Sequence, residues 1–112
     1  MRLSVAETSL GDTTVVSLTG ELDTYTAPKL RARLREIVDT GSARLVIDLT
    51  AVGFLDSAGL GVLVGALKRA RTAGGNLTVA GPSERIRKIF DITGLAGVFA
   101  VSDTVAAAEA RL

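Results

Sequence analysis

The run Leu45-Val46-Ile47 is apolar on both alternating sides of an extended chain, and polarity returns only at Asp48, before Leu49. A strand that meets water on one face alternates apolar with polar residues, whereas one apolar on both faces needs cover from both sides. The run therefore predicts an inner strand of a layered sheet, and its flanks supply the layers. Before it, Thr26 reads as a helix cap with Pro28 in the first turn, and Leu30, Leu34, Ile37 and Val38 recur at helical spacing until Gly41. After it, Ser57 to about Thr72 reads as a second helix, closed by Gly74-Gly75 and followed by a strand over Leu77–Ala80.

The alternation continues toward the C-terminus. Pro82-Ser83 opens a short helix carrying Ile86, Ile89 and Phe90 that stops at Gly94, and Val98-Phe99-Ala100-Val101 reads as a final strand. Ser102 or Asp103 then caps an Ala-rich helix reaching Leu112. At the other end, Leu3–Leu10 and Thr13–Thr19 are β-prone runs separated by Gly11-Asp12, the signature of an antiparallel hairpin. Strands alternating with helices predict an α/β fold: a mixed, mostly parallel sheet with an N-terminal β-hairpin and about four helices. At 112 residues one domain, 1–112, is expected, and no linker, repeat or low-complexity tract is seen in the sequence.

Composition narrows the chemistry. The chain has no His and no Cys, which excludes imidazole or thiolate metal sites, Ser-His-Asp and Cys-His catalysis, and disulfides. With 13 Lys+Arg against 12 Asp+Glu the net charge is +1, so no strong field for nucleic acid or an anionic membrane is implied. Glu7 interrupts what would be the apolar part of a signal peptide, and no run of 18 uncharged apolar residues occurs. The expected setting is cytoplasmic, without membrane insertion.

Gly59-x-Gly61 is not a dinucleotide fingerprint, since the third glycine is Gly65 and no acidic residue follows about 20 positions on. No P-loop Gly-Lys-Ser/Thr is present. Lys29, Arg31, Arg33 and Arg35 make the first helix basic, but Glu36 and Asp39 offset them and aromatic platforms are missing, so a solvated face is expected instead of direct nucleic-acid contact. Asp48 and Asp56 lack a nucleophile or evident pocket, and an enzyme is the least favoured class.

The informative segment is Asp48–Arg71. On a helical wheel, Leu60, Leu63, Val64 and Leu67 fall on the side that should pack on the sheet. The opposite side gathers Ala58, Gly61, Val62 and Gly65, followed by Arg69, where a solvated face would carry charged helix formers. Each glycine inside an exposed helix costs roughly 0.5–1 kcal/mol relative to alanine. Either a loop of the same domain lies against these glycines, or the face docks a partner. Ser57 stands at its edge, as a helix N-cap, as a phosphorylation site, or as both. A phosphate there would add about −1.5 to −2 charges beside Asp56, and the helix N-terminus would accommodate it.

The order Gly20-Glu21-Leu22-Asp23, then Asp48-Leu49 at a strand end, then Phe54-Leu55-Asp56-Ser57-Ala58-Gly59-Leu60-Gly61 resembles the STAS domain proteins of the bacterial anti-sigma-factor antagonist type, over nearly the whole chain. The resemblance implies that Ser57 is phosphorylated by an anti-sigma factor that is itself a serine kinase, and that the unphosphorylated chain binds this kinase and frees the sigma factor. It further implies a serine phosphatase that restores Ser57, ATP held by the kinase with no cofactor on this chain, and a partner-binding surface comprising Asp23, Asp56, Ala58, Gly59, Gly61, Val62 and Gly65. A turn or cap role ahead of Thr26 is an equal reading of Asp23. Within the same family, the alternative is a scaffold or transport-complex subunit docking through the same helix.

Overall fold

In the computed structural model, which describes residues 2–112, five strands form one sheet in the order of the chain: β1 (Leu3–Leu10), β2 (Thr13–Leu22), β3 (Arg44–Leu55), β4 (Asn76–Ala80) and β5 (Val101–Ser102). β1 and β2 pair antiparallel across the two-residue turn Gly11-Asp12, where Gly11 adopts φ +60°. Every later neighbour is parallel. The helices among the described residues are α1 (Ala27–Asp39), α2 (Ser57–Thr72), α3 (Glu84–Ile92), α4 (Ala96–Phe99) and α5 (Val105–Ala110). The expected α/β class, hairpin and mostly parallel sheet are present, with one helix more than expected.

Parallel neighbours require crossovers, and right-handed crossovers between consecutive strands carry their helices to the same face. Accordingly, Leu30, Leu34 and Ile37 of α1, Leu63 and Leu67 of α2, Ile86 and Phe90 of α3, and Phe99 of α4 share one core with Val16, Leu18, Leu45, Ile47, Leu49, Leu77 and Val79. The other face is covered by α5 and the residues after it: Ala108 packs on Val15, Val46 and Ala80, with Val105 and Leu112 beside them. Val46 is therefore fully buried although it points away from the main core, as its apolar run predicts.

Three local expectations are corrected. β3 does not end at Asp48-Leu49 but continues to Leu55; Asp48 lies on the α5 side, and its Oδ1 accepts from the Thr50 amide (3.0 Å) and hydroxyl (2.6 Å), so the charge is accommodated within the strand. Val98–Val101 is not a strand: its first residues complete α4, Ala100 ends the turn at φ +52°, and only Val101-Ser102 pair with β4. The side chain that decides this is Phe99, fully buried edge-to-face against Phe90 with ring centroids 5.4 Å apart. Finally, α5 is capped by Thr104, whose hydroxyl accepts from the Ala107 amide at 3.1 Å; it is not capped by Ser102 or Asp103, and it ends at Ala110, short of Leu112.

The β2–β3 pairing prepares the site. Its register shifts between Ser17 and Thr19 and again between Gly20 and Glu21, so β3 takes up two extra residues before Leu22 and Leu55 come level. Beyond them the chain leaves the sheet at adjacent carboxyl ends, the edge at which parallel α/β sheets build binding sites.

Candidate functional site

Two turns meet at this edge. In the first, Asp23 Oδ1 accepts from the Tyr25 and Thr26 amides, both at 2.9 Å, while the Thr26 hydroxyl accepts from the Asp23 amide (2.9 Å) and donates to the Glu21 carbonyl (2.8 Å). Thr26 thus precedes α1 without capping it through its side chain, contrary to expectation; its hydroxyl is engaged by the turn behind it. Asp23 is only 3 % exposed, and its second carboxylate oxygen is buried without a hydrogen-bond partner among the described residues. The turn role foreseen as one of two readings of Asp23 is the one its bonds describe.

The second turn starts α2. Asp56, not Ser57, is the cap: its Oδ1 accepts from the Gly59 amide at 2.9 Å, and Ser57 is the first helical residue. Asp56 is the better acceptor here because its carboxylate has a second oxygen to spare. That oxygen accepts from the Thr24 amide (3.1 Å) and hydroxyl (3.3 Å), tying the two turns together across 32 residues. The Gly59 amide above all, with the Thr24 and Ala58 donors in support, holds the Asp56 carboxyl below its usual range against a smaller opposing effect of burial. A carboxylate so stabilised is a weak base, which suits a structural anchor more than proton abstraction.

Ser57 is exposed, and among the described residues its hydroxyl makes no hydrogen bond. The capping duty is discharged next door, so the hydroxyl has no structural task. Ala58 is half-buried beside it, and Gly61 and Gly65 are exposed one and two turns further along α2. Val62, placed on the outward face by the wheel, is 3 % exposed, because that flank of α2 turns toward α1 and not to open solvent.

The three glycines of this stretch differ in kind. A Cβ on Gly59 would lie 2.6 Å from both Cγ and the carbonyl oxygen of Leu22, so Gly59 is bare to let α2 sit down on β2. A Cβ on Gly61 or Gly65 would meet nothing within 4 Å. Among the described residues no loop lies against these two, so intramolecular packing does not account for them.

Sequence reasoning missed Thr24 and Tyr25. Thr24 carries no local signal, since its partner Asp56 is reached only through the β2–β3 register. Tyr25 is the single tyrosine and stands 84 % exposed on the Asp23–Thr26 turn, a large amphipathic side chain left in water beside the α2 N-terminus.

Comparison with known proteins is consistent in fold and sequence. Residues 5–108 match the STAS domain family. The anti-sigma-B factor antagonist of Bacillus subtilis strain 168 is 44 % identical over 87 residues, covering 78 % of this chain and 79 % of that protein. The anti-sigma-B factor antagonist of Staphylococcus epidermidis is 38 % identical over 103 residues, covering 92 % and 95 %. Among solved structures, an anti-sigma factor antagonist from Mycobacterium paratuberculosis superposes with a TM-score of 0.89 at 30 % identity, covering 98 % of this chain and 93 % of that one. The Bacillus cell fate determinant SpoIIAA in its phosphorylated form gives 0.75 at 25 % identity, covering 96 % and 98 %.

Proposed function

The chain belongs to the STAS domain family, and from its likeness to the anti-sigma-B factor antagonists we propose that it is an anti-sigma-factor antagonist: unphosphorylated, it binds an anti-sigma-factor serine kinase and releases the sigma factor, and phosphorylation of Ser57 ends the complex. One observation carries the reading to a residue. Ser57 offers an exposed hydroxyl with no structural duty at the start of α2, because Asp56 caps the helix in its place. Phosphate there adds about −1.5 to −2 charges next to an ionised Asp56, while α2's first amides and dipole favour it. The fold is expected to accept the modification, and a close partner to reject it.

In this reading Ser57, Ala58, Gly61 and Gly65 face the partner, with Thr24 and Tyr25 beside them. Asp23, Asp56, Gly59 and Val62 hold that surface from beneath: the first two by fixing the turns, Gly59 by close packing on Leu22, Val62 by burial toward α1. The protein acts by binding and not by catalysis, in the cytoplasm, and a separate serine phosphatase resets it. No helix among the described residues is long and apolar enough to cross a membrane.

Intact-mass analysis after incubation with the cognate kinase and ATP tests the site. Wild type should gain one phosphate and Ser57→Ala none; phosphate on Ser57→Ala at another residue would overturn the assignment.

A further inference from the structure

The basic residues of α1, which scatter when read one by one, fall into two pairs at i,i+4 spacing. Lys29 and Arg33 turn toward β1, where Lys29 Nζ donates to the Leu3 carbonyl at 2.7 Å and Arg33 pairs with Glu7. Arg31 and Arg35 turn the other way, toward α2, and line a pocket of about 100 Å³ with Arg69 of α2. Among the described residues, none of these three arginines forms an ion pair with a carboxylate.

The pocket also borders Gly61 and Gly65, and through Gly65 and Arg69 it joins a wider groove of about 480 Å³ beside Lys68 and Asp39. From Gly61 to Thr72 the combined channel follows α2 for roughly 16 Å, three helical turns. Its sides carry Arg31, Arg35, Lys68 and Arg69 against the single Asp39. Removing those five residues from the tally of 13 basic and 12 acidic leaves nine and eleven, so the rest of the chain bears a formal −2 while the channel bears +3.

We infer that the α1–α2 channel receives an acidic amphipathic helix of the partner. Two features of the channel select this occupant. The charge excess is local and unpaired, which calls for carboxylates. The length and the bare positions at Gly61 and Gly65 call for an element whose backbone comes close over several turns, as a helix laid into a groove does. A single small anion would occupy the arginine pocket without needing the wider groove that continues past Gly65 and Arg69 to Thr72. The inference deepens the proposed function and rests on it: the Ser57 end of α2 switches the complex, and the channel supplies its charge-dependent affinity.

The test titrates the full-length chain against the cognate anti-sigma-factor kinase by calorimetry at low and high ionic strength. Four forms are compared: wild type, Ser57→Asp, the triple variant Arg31→Glu, Arg35→Glu, Arg69→Glu, and Gly65→Leu. Circular dichroism checks folding, and Gly65→Leu blocks the channel without altering charge if the triple variant does not fold. The inference predicts that the triple variant and Gly65→Leu each weaken binding by about tenfold or more, and that high salt weakens wild type but strengthens the triple variant, whose channel the three charge reversals turn from net positive to net negative. Wild-type affinity in both channel variants overturns the inference while weak binding by Ser57→Asp preserves the functional reading. Loss with Gly65→Leu alone, with the triple variant binding normally, overturns the acidic occupant. Displacement of the kinase by inorganic phosphate in proportion to occupancy of the arginine pocket assigns it to a small anion and overturns the helix. Failure of wild type to bind the kinase overturns both readings.

Discussion

The first turn of α2 and the two turns after it use the same residue for opposite purposes. Gly59 is bare because Leu22 is already where its Cβ would be; Gly61 and Gly65 are bare with open space around them. One glycine is explained by the fold and the other two are not, although their intrinsic cost to the helix is the same. The contrast separates the part of the helix that builds the domain from the part that awaits something outside it.

The contrast breaks most sharply at Gly59. Gly59→Ala forces a methyl group against a backbone carbonyl and a Leu22 branch point, and should cost about 3 kcal/mol, the upper range for overpacking, as measured by urea denaturation. Retained wild-type stability would mean that α2 rides higher above β2 than the 2.6 Å approach allows. Next in size is Asp23→Ala, which strands the Tyr25 and Thr26 amides and should cost about 2 kcal/mol in the same measurement.

Ser57→Asp tests the other side of the comparison. Kinase affinity should fall about tenfold, near 1.4 kcal/mol, while the urea midpoint stays at the wild-type value. A large stability change there would show that the hydroxyl has a structural duty after all. Smaller and opposite in sign, Gly61→Ala and Gly65→Ala should each stabilise the chain by roughly 0.5–1 kcal/mol, since an added Cβ meets nothing. A chain made more stable by removing its own residues would confirm that stability is not what those glycines serve.

The last effect is one of pH. Asp56 has a lowered folded-state pKa, so its contribution is fully present above the ordinary carboxyl range near ~3.9 and is lost as pH falls through the folded value. The stability gap between wild type and Asp56→Asn should therefore shrink on acidification below about pH 4. A gap that stays constant would mean that Asp56 holds Gly59 and Thr24 equally well when neutral.

What the sequence makes legible follows from how local each signal is. The hairpin at Gly11-Asp12, the inner strand at Leu45-Val46-Ile47 and the periodicity of α1 are written in neighbouring residues, and the structure has them where expected. Phe99 is different: Val98–Val101 is apolar without a period long enough to choose strand or helix, and only its contact with Phe90 decides. Asp48 misled as a strand end because its carboxylate is hydrogen-bonded by the amide and hydroxyl of Thr50 two residues on, a pairing invisible to a hydropathy pattern. At the site, the α2 N-terminus and its small residues were legible, whereas the choice of Asp56 over Ser57 as cap goes with Thr24 reaching across from the turn after β2. The arginines of α1 needed the position of α2 before their two directions could be told apart.

The agreement between strand order and chain order carries a consequence for biosynthesis. Strands leave the ribosome in the sequence β1, β2, β3, β4, β5, and each finds the edge it must join already exposed and not yet occupied. No strand has to be threaded between two that have paired, so the topology lets the sheet grow at one edge as the chain emerges, at about 5–20 residues per second. The cover over the second face, α5, follows all five strands in the chain, and until it emerges Val46 and Ala80 stay wet on that side.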